Sequence, residues 1–561
     1  MPSGEKSEGR RPKILAAALG EDVHVAGIIK FLRLAEQVGY ETIFLGPANT
    51  PEEIVAAIKE TDPDMVGISY RLMPESGRYW IERFISAVKE AGLEGKRYVF
   101  GGTPPVAEVA KSFGFFDRVF SGKETMDEVV SYLKGGGEAG KGEERYPQTT
   151  VERIAWKYPY PIIRQHLGLS TVEETVEAAR KVAESKLIDV ISIAPDQEFQ
   201  ENFFHPEKWD PGRAGAGGVP IRSEEDLIKI YEATRTGNYP LLRCYQGTSD
   251  LFKMADLLVR TIKNAWAAIP IFWFSRLDGR GPLDLVEAID EHQRLMAWHG
   301  ERGIPVELNE PHHFELRDAP DVIAVADAFL SAYNAKKAGV RHYIATLMFD
   351  LPPGISAEMD LAKQLAKIDI IKPLEDENFK IFIQTRTGLS SYPPDLDAAK
   401  GHMAYSVTMQ MHLKPHIIHM VAYTEPDHAA TAEEIIESGK IVHQVISDTL
   451  HGLPDVTKDP KIQARREELV REAKITLDAI RKIADPGVED PWTDPQTLAR
   501  ALKVGILDAP HLKNNPYARG EIETRIINGA AYAVDPETKR PLPESERIQR
   551  ILDDYFKGKL I

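Results

Sequence analysis

Cysteine is almost absent: Cys244 is the only one in 561 residues, so no intramolecular disulfide can form and a reducing compartment is expected. Basic residues are in deficit. Lys and Arg total 69 against 86 Asp and Glu, a net charge of −17, which is a poor match to nucleic acid or to an anionic membrane. The longest apolar run, near "AWAAIPIFWF", is too short to span a bilayer. The N-terminal stretch "MPSGEKSEGRRP" has no apolar core of a secretory signal. No heptad run and no solenoid-period repeat is present. The expectation is a cytoplasmic protein that binds neither nucleic acid nor membrane. What is present is the balance of a globular protein, 43% hydrophobic and 28% charged, with length enough for two to four domains.

Residues 12–134 alternate short apolar runs with helical periodicity. "KILAAAL", "ETIFLG", "DMVGISY", "RYVFGG" and "DRVFSG" read as strands, each followed by an amphipathic segment. Five such units predict a doubly wound, flavodoxin-like (Rossmann-like) α/β domain over 1–134. Residues 135–150, rich in Gly, Lys and Glu, read as a linker. Over 151–455 the strand candidates are "PIIRQHLGL", "DVISIAPD", "PLLRCYQG", "PIFWFSRL", "PVELNEPHH", "HYIATLMFD", "FKIFIQTR" and "HIIHMVAY", each with a helical stretch after it. Eight strand–helix units predict a (β/α)8 TIM barrel. Residues 456–561 are charged and read as a small helical C-terminal extension.

One histidine stands where the first strand gives way to a helix, in "GEDVHVAGIIKF". In an open parallel sheet, ligands bind outside the carboxyl ends of the strands, where the winding reverses. His24 is at that end of strand one, Ser69 at the end of strand three, and Gly101 and Gly102 at the end of strand four. With strand order 2-1-3-4-5 these ends converge on one crevice. Asp22, two residues before His24, suits a carboxylate that takes the imidazole's other N–H, fixing its tautomer and strengthening it as a metal ligand. Gly27 lets a bulky group approach the backbone. A single histidine is too few for tetrahedral zinc, but it suffices for a metal that brings its own macrocycle.

"DVHVAG" with downstream Ser69 and Gly101–Gly102 resembles the cobalamin-binding domain of the "base-off, His-on" class, over about residues 12–134. The resemblance implies a cobalt corrinoid with His24 as its lower axial ligand, replacing the cofactor's own dimethylbenzimidazole. The displaced nucleotide tail would lie in the sheet crevice. The residues implied to hold the cofactor are Asp22, Val23, His24, Val25, Gly27, Ser69, Tyr70, Arg71, Gly101, Gly102 and Thr103. One departure is that Arg71 stands where the family has leucine, with Leu72 next to it.

A cobalamin domain beside a (β/α)8 barrel is similar to the carbon-skeleton mutases. The helical cap that precedes the cobalamin module of methionine-synthase-like methyltransferases is not expected, since a dozen residues precede the first strand. The N-terminal domain resembles the small subunit of glutamate mutase (methylaspartate mutase). More weakly, "LRCYQGTSDL", "GIPVELNEPHHF", "AKKAGVRHYIATLMFDLPPG" and "HMVAYTEPDHAATAEE" resemble its large subunit. The likeness implies a fusion of the two, an adenosylcobalamin-dependent radical isomerase of a small carboxylate-bearing substrate; a homodimer is expected. A corrinoid-dependent methyltransferase or methyl carrier is the alternative.

Barrel sites lie at the carboxyl ends of strands. The residues expected there are Asp196, Arg243, Arg276, Asn309, Glu310, His312, His313, Asp350, Arg386, Glu425 and His428. Arginine suits bidentate carboxylate recognition. By the likeness, Arg243 and Arg213 fall to the substrate clamp and Glu425 to the adenosine ribose, and Glu310 joins them as a catalytic candidate. The family's lysine beside that glutamate is missing, and the residues that grip a substrate amine have no clear match. Arg276 and Arg386 are open between ion-paired loop residues and clamps. His312 and His313, adjacent on an expected strand, would point to opposite faces, against a paired metal site.

Overall fold

The computed structural model describes residues 10–135 and 142–560. The chain divides into two compact units, 1–139 and 140–561. Residues 136–141 of the expected linker lie outside the described residues.

The first unit is a five-stranded parallel sheet, β1 (Lys13–Leu19), β2 (Glu41–Asn49), β3 (Met65–Tyr70), β4 (Arg97–Gly102) and β5 (Arg118–Phe120), in the order β2-β1-β3-β4-β5. The central strands are buried on both faces, which is why "KILAAAL" and "MVGISY" are apolar without strict alternation. Helix α1 (Ala26–Gln37) follows β1 and lies close against the sheet. A Cβ at Gly67 would come within 3.3 Å of Ala16 and 3.6 Å of Phe31, so glycine there admits the α1 aromatic ring. The next helices begin on local signals: a Thr50–Glu53 capping box with Pro51 in the first turn, then Pro74 and Pro104 in first turns.

The second unit holds eight parallel strands: β6 (Ile162–Leu167), β7 (Val190–Ile193), β8 (Leu241–Cys244), β9 (Ala267–Ala268), β10 (Val306–Leu308), β11 (His342–Phe349), β12 (Lys380–Thr387) and β13 (Ile417–His419). Their order is β8-β7-β6-β13-β12-β11-β10-β9, and the Ala265 N–H donates to Leu242 O at 2.8 Å between the two outer strands. This is the (β/α)8 arrangement.

Three expectations are corrected. The fourth strand is not "PIFWFSRL" but the two residues Ala267–Ala268. Beyond Pro270 the chain leaves the ladder and its N–H groups find side chains: Ile271 and Phe272 donate to Glu310, and Phe274 and Ser275 donate to Asp278. The run is apolar because it is buried, not because it is a strand. His312 and His313 lie on a short helix, Glu310–Glu315, so the strand argument about their faces does not apply. The C-terminal extension is not wholly helical: helices Pro460–Lys482, Pro495–Val504 and Glu544–Phe556 enclose a hairpin, Glu523–Ile527 paired with Ala530–Val534. Leu469, Leu477 and Ile480 of its long helix join the core of the barrel helices, and Arg465 pairs with buried Asp321 at 2.9 Å.

Candidate functional site

The first unit carries a crevice of about 410 Å³ at the carboxyl ends of β1, β3 and β4. His24, Gly27, Ser69, Arg71, Gly101, Gly102 and Thr103 line it, with Phe31, Phe120 and Val129 supplying apolar wall. His24 leaves β1 just before α1. Its Nδ1 lies 2.8 Å from Asp22 Oδ1, and its backbone N–H donates to the same oxygen at 2.9 Å. Asp22 is fully buried, and its other oxygen accepts the Arg71 N–H at 2.7 Å. One carboxylate therefore ties the ends of β1 and β3 together and fixes the imidazole. With Nδ1 committed as a donor, Nε2 is the lone pair left for a metal, while the ring itself is half exposed.

Other residues expected at the cofactor differ in place. Tyr70 follows Ser69 along β3 and so points to the opposite face; it is buried, its hydroxyl donating to Glu21 at 2.7 Å. Val23 is 61% exposed and, like Val25, lies outside the crevice lining. Arg71 contributes its backbone to Asp22, and its side chain is exposed.

The residues fit a corrinoid with an extended tail. Ser69 Oγ is buried inside the crevice with no partner, a group that calls for a ligand atom. Added Cβ atoms at Gly27 and Gly101 would meet nothing within 4 Å, so these glycines leave open space beside the histidine.

Sequence comparison with known proteins agrees. Residues 12–130 match the family model of the B12 binding domain. The pivalyl-CoA mutase small subunit of Xanthobacter autotrophicus is 28% identical over 137 residues, 24% of this chain and 90% of that protein. Methylmalonyl-CoA mutase of Escherichia coli is 31% identical over 102 residues, 18% of this chain, which spans 14% of that enzyme's length. Among solved structures, a cobalamin-binding protein from Desulfitobacterium hafniense aligns at 26% identity over 22% of this chain and 57% of that one, with a TM-score of 0.20. The N-terminal unit is a B12-binding domain. Among the described residues no helix is long and apolar enough to cross a membrane.

The interior of the barrel holds a polar layer that the sequence reading missed. Arg164, Arg243, Glu307 and Gln384 come from alternate strands β6, β8, β10 and β12 and meet on the axis. Arg164 Nη1 is 3.1 Å from Glu307 Oε2 and 3.0 Å from Gln384, and Arg243 Nη2 is 3.1 Å from Glu307. Trp266 Nε1 and Thr346 Oγ1 also donate to Glu307, at 2.6 and 3.0 Å. All are buried. This is the layered filling of a small barrel, built here from charged groups. The signal was legible in "PIIRQHL", "PVELN" and "FKIFIQTR", where Arg164, Glu307 and Gln384 stand at inward positions after apolar residues.

Two residues further on stand His166 and Arg386, still on β6 and β12, and Tyr245 and Asn309, just past the ends of β8 and β10. Arg243 thus lies in the polar layer inside the barrel, fully buried under the Tyr245 ring at 4.5 Å, and not at the rim. Glu425 accepts from Gln165 at 2.6 Å and from the Ala422 N–H at 3.0 Å, and burial raises its pKa. Arg213 lies elsewhere, on the segment after β7, paired with Glu198 and Glu201. Glu310 is committed to the N–H groups of Ile271 and Phe272; burial pushes its pKa up to about 8. Asp196 is taken by Arg222 at 2.5 Å, Arg276 is an exposed loop residue, His428 bonds Asp427 and Glu434, and Asp350 accepts from Ser406.

The Asp22–His24 geometry makes a specific prediction. Asp22→Asn should keep the fold but loosen control of the His24 tautomer, weakening cobalamin binding by about 10–100-fold in spectrophotometric titration. Affinity equal to the unsubstituted protein would reduce Asp22 to a turn residue.

Proposed function

We propose that the chain is an adenosylcobalamin-dependent carbon-skeleton mutase acting on a carboxylate-bearing substrate, joining in one polypeptide two modules that resemble the subunits of glutamate mutase. The observation that carries the reading is the buried Asp22 carboxylate clamping His24 at the mouth of an open crevice. His24 Nε2 would hold the cobalt, and Ser69 with the glycine edge of the crevice would receive the nucleotide tail. When bound, the group supplies a homolysable cobalt–carbon bond as the source of a carbon radical. The chain's own part is to bind the substrate, hold it still and exclude water, since a loose radical is lost to side reactions. The barrel supports this with a closed floor: Arg164 and Arg243 braced on Glu307, with Gln384 filling the axis. Glu425, fixed by Gln165, is suited to accept from a ribose hydroxyl.

Anaerobic turnover with adenosylcobalamin across linear and branched acids, amino acids and acyl-CoA thioesters tests the reading. An isomerised product in which hydrogen exchanges with the 5′ position of the adenosyl group is expected. Turnover supported by methylcobalamin and not by adenosylcobalamin would replace the mutase by a corrinoid methyltransferase.

A further inference from the structure

The ring above the barrel floor carries one arginine, Arg386, and among the described residues it has no hydrogen-bonded or ion-paired partner. Arg386, on β12, is partly accessible, and its Nε is buried with nothing bonded to it. Among the described residues it makes no hydrogen bond, ion pair or aromatic contact, whereas Arg164 and Arg243 below it share Glu307. Arg386 acts on the Glu425 carboxylate only at longer range and pairs with no anion, and such an arginine is the side chain expected to meet an anionic ligand. Other polar atoms at this end of the barrel are orphaned too: Asn309 Oδ1, and the His419 Nε2 and His312 Nδ1 of two imidazoles on which Arg386 acts, are buried without partners.

Three acids of the barrel are already in use, while Glu425 and Asp350 are only partly committed. Glu307 takes both floor arginines, Glu310 takes two backbone N–H groups, and Asp196 takes Arg222. Glu425 retains one oxygen free, and burial raises its pKa. The ring therefore offers an anion the Arg386 guanidinium, and an ammonium chiefly the remaining Glu425 oxygen. Neighbouring groups report the same field. Burial and then Arg164, Arg386 and Arg243 push the His166 pKa well below its ordinary value, and the same groups act on His419. Burial would raise the Tyr245 hydroxyl, yet the three arginines bring it below its ordinary value. A site that keeps imidazoles neutral also disfavours a substrate ammonium.

We propose that Arg386 is the carboxylate-binding, specificity-determining residue of the barrel chamber, and that its ligand is a small carboxylic acid bearing no amino group. This deepens the mutase reading by naming its substrate class, and it departs from an amino-acid substrate. Arg164, Arg243, Glu307 and Gln384 fill the axis below Arg386, so the acid would approach from the carboxyl ends of the strands, with its carboxylate against the Arg386 guanidinium.

Isothermal titration calorimetry on the full-length chain without cobalamin tests this, using butyrate and glutarate against their amino counterparts 4-aminobutyrate and L-glutamate. At least one plain acid should bind, about tenfold or more tightly than its counterpart. Arg386→Gln should remove that binding while leaving the unfolding temperature and the visible spectrum of added hydroxocobalamin unchanged. Amino acids that bind as well as the plain acids, no binding by any of the four, or undiminished binding in Arg386→Gln would each overturn the proposal. If Arg386→Gln does not fold, Arg386→Lys carries the test. It keeps the charge and loses the planar fork, so affinity should fall, and an unchanged affinity overturns the proposal. Because cobalamin is left out, acid binding without adenosylcobalamin turnover sinks the mutase reading alone, and turnover of L-glutamate sinks this inference alone.

Discussion

Replacing His24 with alanine is expected to remove protein nitrogen from the axial position of bound cobalt while leaving the first unit folded. The residue is half exposed and outside the core, so its loss creates no cavity. Its partner Asp22 keeps the Arg71 N–H and the backbone N–H of residue 24 in the variant, so the carboxylate is not stranded. What disappears is the lone pair on Nε2. Loss of the ligand itself should weaken cobalamin at least as much as the roughly 10–100-fold typical of disturbing its supporting carboxylate. The measurement is electron paramagnetic resonance of protein loaded with cob(II)alamin. Nitrogen hyperfine coupling should change on ¹⁵N-histidine labelling of the unsubstituted protein and should be insensitive to that label in His24→Ala. Label-sensitive coupling in the alanine variant would remove His24 from the coordination sphere.

The first unit was legible because its chemistry sits at strand ends, where sequence order and strand order together fix proximity. Once the strands were read in the order 2-1-3-4-5, His24, Ser69 and Gly101–Gly102 had to share a crevice, and they do. Tyr70 failed that logic for a plain reason: one step along a strand is the opposite face. The barrel was legible as an architecture and far less as a site. Reading strand ends drew attention to Glu310 and Asp196, and the family likeness to Arg213, each of which is occupied by a local partner that only the fold reveals. The decisive group was mid-strand. Arg164, Glu307 and Gln384 are 77 to 220 residues apart in sequence and become neighbours only when the barrel closes. The apolar "PIFWF" misled because burial and strand formation both select apolar residues, and the Glu310 and Asp278 carboxylates that satisfy its backbone are distant or follow it.

The largest stability effect is expected at Glu307. Its carboxylate accepts from Trp266, Thr346 and Gln384 and neutralises Arg164 and Arg243, all inside the barrel. Glu307→Gln preserves the shape and removes the charge, leaving two buried guanidiniums facing each other with unpartnered Arg386 above. Removing one partner from a buried ion pair costs about 3–5 kcal/mol, because the cost is that of the stranded charge. The barrel should therefore unfold at markedly lower urea concentration, with Trp266, hydrogen-bonded to Glu307, among the tryptophans that report the transition. The acid limb supplies an independent check. Burial alone would raise the Glu307 pKa, but the two arginines and the Trp266 and Thr346 hydrogen bonds hold it well below the usual carboxylate range. A depressed folded pKa contributes stability that is fully present above the unfolded value of about 4.3 and is lost as pH falls through the folded one. In the unsubstituted protein this contribution should be intact at neutral pH and fade only below about pH 4. Glu307→Gln, with no such carboxylate, should be destabilised at neutral pH and lose less further stability on acidification. If the two proteins instead have the same urea midpoint at neutral pH, the floor arginines are being neutralised by something other than Glu307.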